Sequence, residues 1–195
     1  MKNLFNRTLR CNRKPFATRQ SFGVIRNTAL FSCSMLLIFL FTGCKKQDMN
    51  EPIEADVLSM YSGFSQQTLG ELKQASAATA KYRNVDSAIK DGYVDIAVDV
   101  EHMGHHFMKS SLVDATFDIR QPEILVYNKN KNGIQELVAV EYAVPLNDPM
   151  PQGFTGSADV WDGNAGFQLW LLHAWVWSYN PDGVFNPTNT LVHLH

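Results

Sequence analysis

Apolar positions recur at helical spacing over one part of the chain only. From residue 65 to 82 the sequence is rich in Ala, Leu, Gln and Lys, and Leu69, Leu72, Ala75, Ala78 and Tyr82 fall close to one side of a 3.6-residue repeat. Ser65 stands where an N-cap accepts the first free amides. A shorter helix is predicted from Asn84, as cap, through Ala88 and Ile89 to Gly92, a residue suited to the left-handed C-terminal position. Beyond Gly92 the period changes to two, which predicts strands at 93–100, 123–127, 135–144 and 167–177. The Asn-Lys-Asn-Lys-Asn-Gly run at 128–133 supplies a hairpin turn, and Asn180-Pro181-Asp182-Gly183 closes the last strand. Between the third and fourth strands, residues 145–166 are rich in Pro, Gly and Asp and read as a lid or binding loop. Helices followed by antiparallel strands indicate an α+β fold, with N-terminal helices packed on a mostly antiparallel β-sheet in a single domain spanning 56–195.

The N-terminus follows a different pattern. Residues 1–43 carry Lys2, Arg7, Arg10, Arg13, Lys14, Arg19 and Arg26 with no acidic residue, then an apolar run at 29–41 that ends in Thr42-Gly43-Cys44. A basic leader, a short apolar segment and small residues before a cysteine are the marks of a lipoprotein signal peptide cleaved before Cys44. The apolar run is shorter than the roughly 20 residues a spanning helix needs, which argues against a transmembrane anchor. A start at Val24 would leave an equally complete and more compact signal. Residues 44–55 are polar and aperiodic, and read as the lipidated cysteine plus a tether. The expectation is an exported protein held on a bilayer through acylated Cys44, in the cell envelope of a Gram-negative bacterium.

Charge and cysteine content narrow the function. Seven of the 17 Lys and Arg residues leave with the leader, so 10 face 19 Asp and Glu in the mature chain, about nine net negative charges. That balance disfavours nucleic acid as a partner. Cys11 and Cys33 also leave and Cys44 takes the lipid, so disulfides and thiolate ligands are excluded from the domain.

All six histidines, at 102, 105, 106, 173, 193 and 195, fall in the strand-rich part. Glu141 lies in a strand apolar on both faces, where a carboxylate needs a hydrogen bond, a salt bridge, a proton or a cation. His173 sits in the same kind of surroundings. In Glu101-His102-Met103-Gly104-His105-His106-Phe107, strand alternation would send His102 and His106 one way and His105 the other. His106, Glu141 and His173, with His102, His105, His193 and His195 as additional candidates, are the ingredients of a site for zinc, iron, manganese or copper. Such a site suits a hydrolase or an oxygenase, with the 145–166 loop as its cover. The competing reading is a non-catalytic module binding a small ligand or envelope partner, with Trp161, Trp170, Trp175 and Trp177 lining a pocket, although tryptophans clustered in this way more often fill a core. No phosphate loop, nucleophile elbow or cysteine nucleophile is present.

Several phrases together resemble an uncharacterised family of exported bacterial proteins over about residues 78–190: Tyr82-Arg83-Asn84-Val85, Asp91-Gly92-Tyr93, Met103-Gly104-His105-His106-Phe107, Val140-Glu141-Tyr142 and Leu172-His173-Ala174-Trp175-Val176-Trp177. The resemblance implies that His106 is the significant histidine of its segment, with His105 at a free position, and that Glu141 and His173 accompany it. It implies no activity. The chain departs from that pattern at its end, with Val192-His193-Leu194-His195 where the family carries a cysteine. The leader resembles those of lipoproteins from Bacteroidetes-type bacteria.

Overall fold

A computed structural model describes residues 54–195. The leader, Cys44 and the tether as far as residue 53 lie outside the described residues. The last two residues assigned to the tether instead begin a helix, α1 (Glu54–Ser59), and its Val57 and Leu58 are buried in the core.

Helix α2 (Gln66–Thr79) starts where Ser65 Oγ accepts the Thr68 amide at 3.0 Å. Its buried side includes Leu72 and Ala75. The helix was expected to reach Tyr82 but tightens into a 3-10 turn at Ala80–Arg83. Thr79 Oγ1 turns back to the Ala75 carbonyl, and the Tyr82 carbonyl is taken at 2.6 Å by the hydroxyl of Tyr127. In α3 (Val85–Lys90) Asn84 caps the first turn, and Gly92, at φ +95°, closes the end.

Six strands form one antiparallel sheet: β1 (Val94–Val100), β2 (Gly104–Met108), β3 (Ile124–Lys129), β4 (Gln135–Pro145), β5 (Asp162–Asn164) and β6 (Leu169–Ala174). Their order across the sheet is β1-β2-β3-β4-β6-β5. The fold is α+β. β5 lies within the segment expected to be an open loop, and β6 is shorter than expected at both ends. Gln168, at φ +58°, breaks the strand before Leu169, and after Ala174 the Trp177 and Ser178 amides turn to the Val138 carbonyl.

The sheet separates two cores. On one face Phe107, Leu125, Tyr127, Val140, Tyr142 and Leu172 join the helical residues Leu72, Ala75 and Ala88. On the other, Ile124, Val126, Val138, Ala139, Ala143, Trp175 and Val192 form a smaller cluster. Val138 and its neighbour Ala139 share this second face because the β3–β4 register slips between Val126 and Tyr127. Gly104 fits only as glycine: its φ is +116° and a Cβ would collide with the Tyr127 carbonyl of the adjacent strand.

Candidate metal centre

Strand register assembles the site on the second face. Glu141 of β4 is directly opposite His173 of β6 on one side and Ile124 of β3 on the other, while His106 of β2 is opposite Val126. Alternation then turns His106, Glu141 and His173 to the face that carries Ile124 and Val126. All three are buried, at 4%, 2% and 3% exposure. One ligand atom from each lies within 4.8 Å of the others.

His106 is oriented by an irregularity in β1. Asp95 pairs with Phe107 and Asp99 with His105, so three residues of β1 oppose one of β2. Ala97 within this bulge adopts φ +55°, and the freed Val98 carbonyl meets His106 Nδ1 at 2.7 Å. A carbonyl only accepts, so Nδ1 carries the proton and Nε2 keeps its lone pair. That lone pair is 3.8 Å from Glu141 Oε2, while His173 Nδ1 is 3.3 Å from Glu141 Oε1. Both separations exceed the usual hydrogen-bond range of about 2.7–3.2 Å. They are close to the roughly 3.3–3.6 Å between neighbouring donors that bind a tetrahedral ion at about 2.0–2.2 Å.

The electrostatics fit the same geometry. Burial raises the Glu141 carboxyl to about 8 and lowers the His173 imidazole to about 3; burial also lowers His106. At neutral pH the protein alone therefore holds two neutral imidazoles beside a carboxyl that is mostly protonated. His173 Nε2 is buried without a protein partner, and the ring stacks on Trp175 at 6.1 Å between centroids. Two imidazoles and a carboxylate that satisfy one another poorly form a donor set suited to a divalent cation. A pocket of about 120 Å³ opens onto His106 and Glu141.

The additional histidines do not join this centre. His105 points to the opposite face, where Nδ1 contacts Asp99 Oδ1 at 2.6 Å. His102 and His193 gather with Glu101 in a second group, more exposed, whose ligand atoms also lie within 4.8 Å of one another. There His102 Nδ1 is held by the Val192 carbonyl at 3.0 Å and His193 Nδ1 by Glu101 Oε1 at 2.9 Å, which ties the C-terminal segment to the β1–β2 turn. His195 is exposed.

The tryptophans do not line one pocket. Trp161 and Trp177 pack against the helix-side core, whereas Trp175 is fully buried in the core on the other face. Trp177 was expected beside His173; the turn after Ala174 carries it to the helix side, where Nε1 donates to Thr79 Oγ1 at 3.0 Å. Trp170 Nε1 donates to the Asp148 carbonyl at 3.1 Å. Nor does the 145–166 loop cover the centre. Its Phe154 is buried in the helix-side core, and both the amide and the hydroxyl of Thr155 are bound by Glu71 of α2, at 2.7 and 2.6 Å. Of that segment only Asn164 lines the pocket.

Sequence reasoning missed Glu123. Its carboxyl is buried, raised to about 8 by that burial, and accepts the Ala143 amide at 2.9 Å. The signal was an acid set directly against the apolar run of β3, the pattern already used for Glu141. The chain matches no protein-family model, no curated protein and no solved structure.

Proposed function

We propose that the protein is an exported lipoprotein, anchored through Cys44, whose domain binds one divalent transition-metal ion through His106, Glu141 and His173. The observation that carries the reading is the convergence of three buried donor groups from three strands at separations too long for good hydrogen bonds and short enough to share an ion. Three protein ligands leave coordination positions open, and an ion so held supplies Lewis acidity toward a carbonyl or a water. The protein's own part is to fix the donors on a sheet and keep them dry. Val98 sets the His106 tautomer, as an outer-shell acceptor does for a metal-bound imidazole. With Trp175 in one core and Trp161 and Trp177 packed against the other, the four tryptophans of the alternative reading do not share one face of the sheet.

Elemental analysis of residues 47–195 tests the reading; the described residues 54–195 within them hold both cores. Purified without a histidine tag and exposed to zinc, iron, manganese or copper, the domain should retain about one ion per chain. Glu141→Gln keeps the side-chain shape and should remain folded, yet lose the ion. A folded wild-type domain that retains none of the four metals would refute the proposal.

A further inference from the structure

The candidate centre occupies one end of its pocket, and the remaining walls are chemically unlike it. Ile96 and Val98 come from edge strand β1, Met108 and Ile124 from β2 and β3, and Leu169 and Leu171 from β6. His106 and Glu141 are the only ionisable lining residues among those described, and the one further hydrogen-bonding side chain is Asn164. Val100 of β1, 38% exposed, and Phe167 of the β5–β6 turn, 52% exposed, stand on its open side. They belong to opposite edges of the sheet, so the curled sheet brings its two borders to one apolar opening.

This lining selects by chemistry. With no Lys or Arg on the wall, a phosphate, a sulfate or a sugar acid would have its charge desolvated without a partner. A polyol would bury several hydroxyls against aliphatic carbon. A ligand with one polar atom and an apolar body meets neither penalty: the polar atom goes to the end that holds His106 and Glu141, and the body covers the aliphatic wall. Size adds a limit. An apolar cavity of about 150 Å³ accommodates benzene, so a pocket of about 120 Å³ that is open on one side suits a body of about six heavy atoms.

We infer that this pocket binds a compact apolar molecule with a single donor atom, of the class of an aryl or branched-alkyl thiol or alcohol, placed with its donor at the His106–Glu141–His173 centre. The inference rests on the metal-centre reading. It assigns the open coordination position to a ligand selected by apolar contact with β1 and β6, and it disfavours sugars and phosphorylated molecules as natural ligands.

Titration calorimetry on residues 47–195 loaded with zinc, with the metal content measured on the same samples, tests it. Benzenethiol is the probe and benzene its donor-free control. Benzenethiol should bind at least about tenfold more tightly than benzene, the difference one donor bond of about 1.4 kcal/mol makes. Leu169→Trp fills the pocket from the β6 side, away from the metal ligands and from the β1 bulge, and should abolish benzenethiol binding while zinc remains. Val100→Trp fills it from the end of β1 and replaces the first variant if circular dichroism shows that Leu169→Trp does not fold. Zinc bound at one per chain, with benzenethiol no tighter than benzene or unaffected by either filling variant, overturns the inference and leaves the metal centre standing. A folded domain without zinc overturns the reading beneath it, and the inference with it.

Discussion

Two buried carboxyls, Glu123 just before β3 and Glu141 in the neighbouring β4, have different means of satisfaction. Glu123 accepts a backbone amide, whereas Glu141 is flanked by two imidazoles at 3.3 and 3.8 Å. Glu123 therefore belongs to the architecture and Glu141 to the candidate centre. The Glu123 carboxyl is raised by burial from 4.5 to about 8, so the folded state holds its proton over a range in which the unfolded chain has lost it. Its contribution is full below pH 4.5 and is lost as pH rises toward 8, at about 1.4 kcal/mol per pH unit. Glu123→Gln keeps an acceptor for the Ala143 amide and removes the titration. Urea unfolding at several pH values between 5 and 8 should show wild-type stability falling relative to the variant; parallel curves would show that the carboxyl does not titrate in this way. Because an acid beside an apolar run is visible in sequence, the burial of both residues was legible there, although only that of Glu141 was read. Their different partners were not, since partners come from strand register.

At the scale of the element, the bulge in β1 has the clearest consequence. A regular strand would spend the Val98 carbonyl on the β2 ladder, but three residues opposite one leave it free for His106 Nδ1. Deleting Ile96 and Ala97 should restore regular pairing and remove that acceptor. The expected result is a folded domain whose metal affinity is about 10- to 100-fold weaker, as for loss of other outer-shell partners, measured by competition with a chromophoric chelator. Unchanged affinity would mean that the bulge merely decorates an edge strand. The bulge was invisible in sequence because residues 93–100 alternate well enough to read as one unbroken strand. The same limit hid the turn after Ala174: a continuous apolar run does not reveal where the backbone leaves the sheet, and so Trp177 was assigned to the wrong face.

On the scale of the whole molecule, the sheet separates a helix-covered face from a face that carries the candidate centre. Phe154 and Thr155 of the 145–166 segment belong with the helices, the latter pinned by Glu71, while Asp162–Asn164 of the same segment joins the sheet as β5. Among the described residues no helix is long and apolar enough to cross a membrane. Attachment to a bilayer, as we propose it, rests on the leader and Cys44, where two acyl chains or more would anchor the chain without spanning. Expressed in a Gram-negative host, wild-type protein should sediment with membranes and incorporate labelled fatty acid, and Cys44→Ser should remove the label. Label persisting in the variant would place the lipid elsewhere or end the lipoprotein reading.

What the sequence determined by itself was periodic or compositional: the switch from helical to strand spacing, the caps at Ser65 and Asn84, the turn at 128–133, the α+β class, and the apolar setting of Glu141 and His173. These are local properties, readable within a few residues because side-chain direction repeats every 3.6 or 2 positions. Tertiary structure alone decided which residues meet. Antiparallel register set Glu141 opposite His173, and a two-residue bulge aimed His106. A one-residue slip in any of these pairings would carry a ligand to the other face.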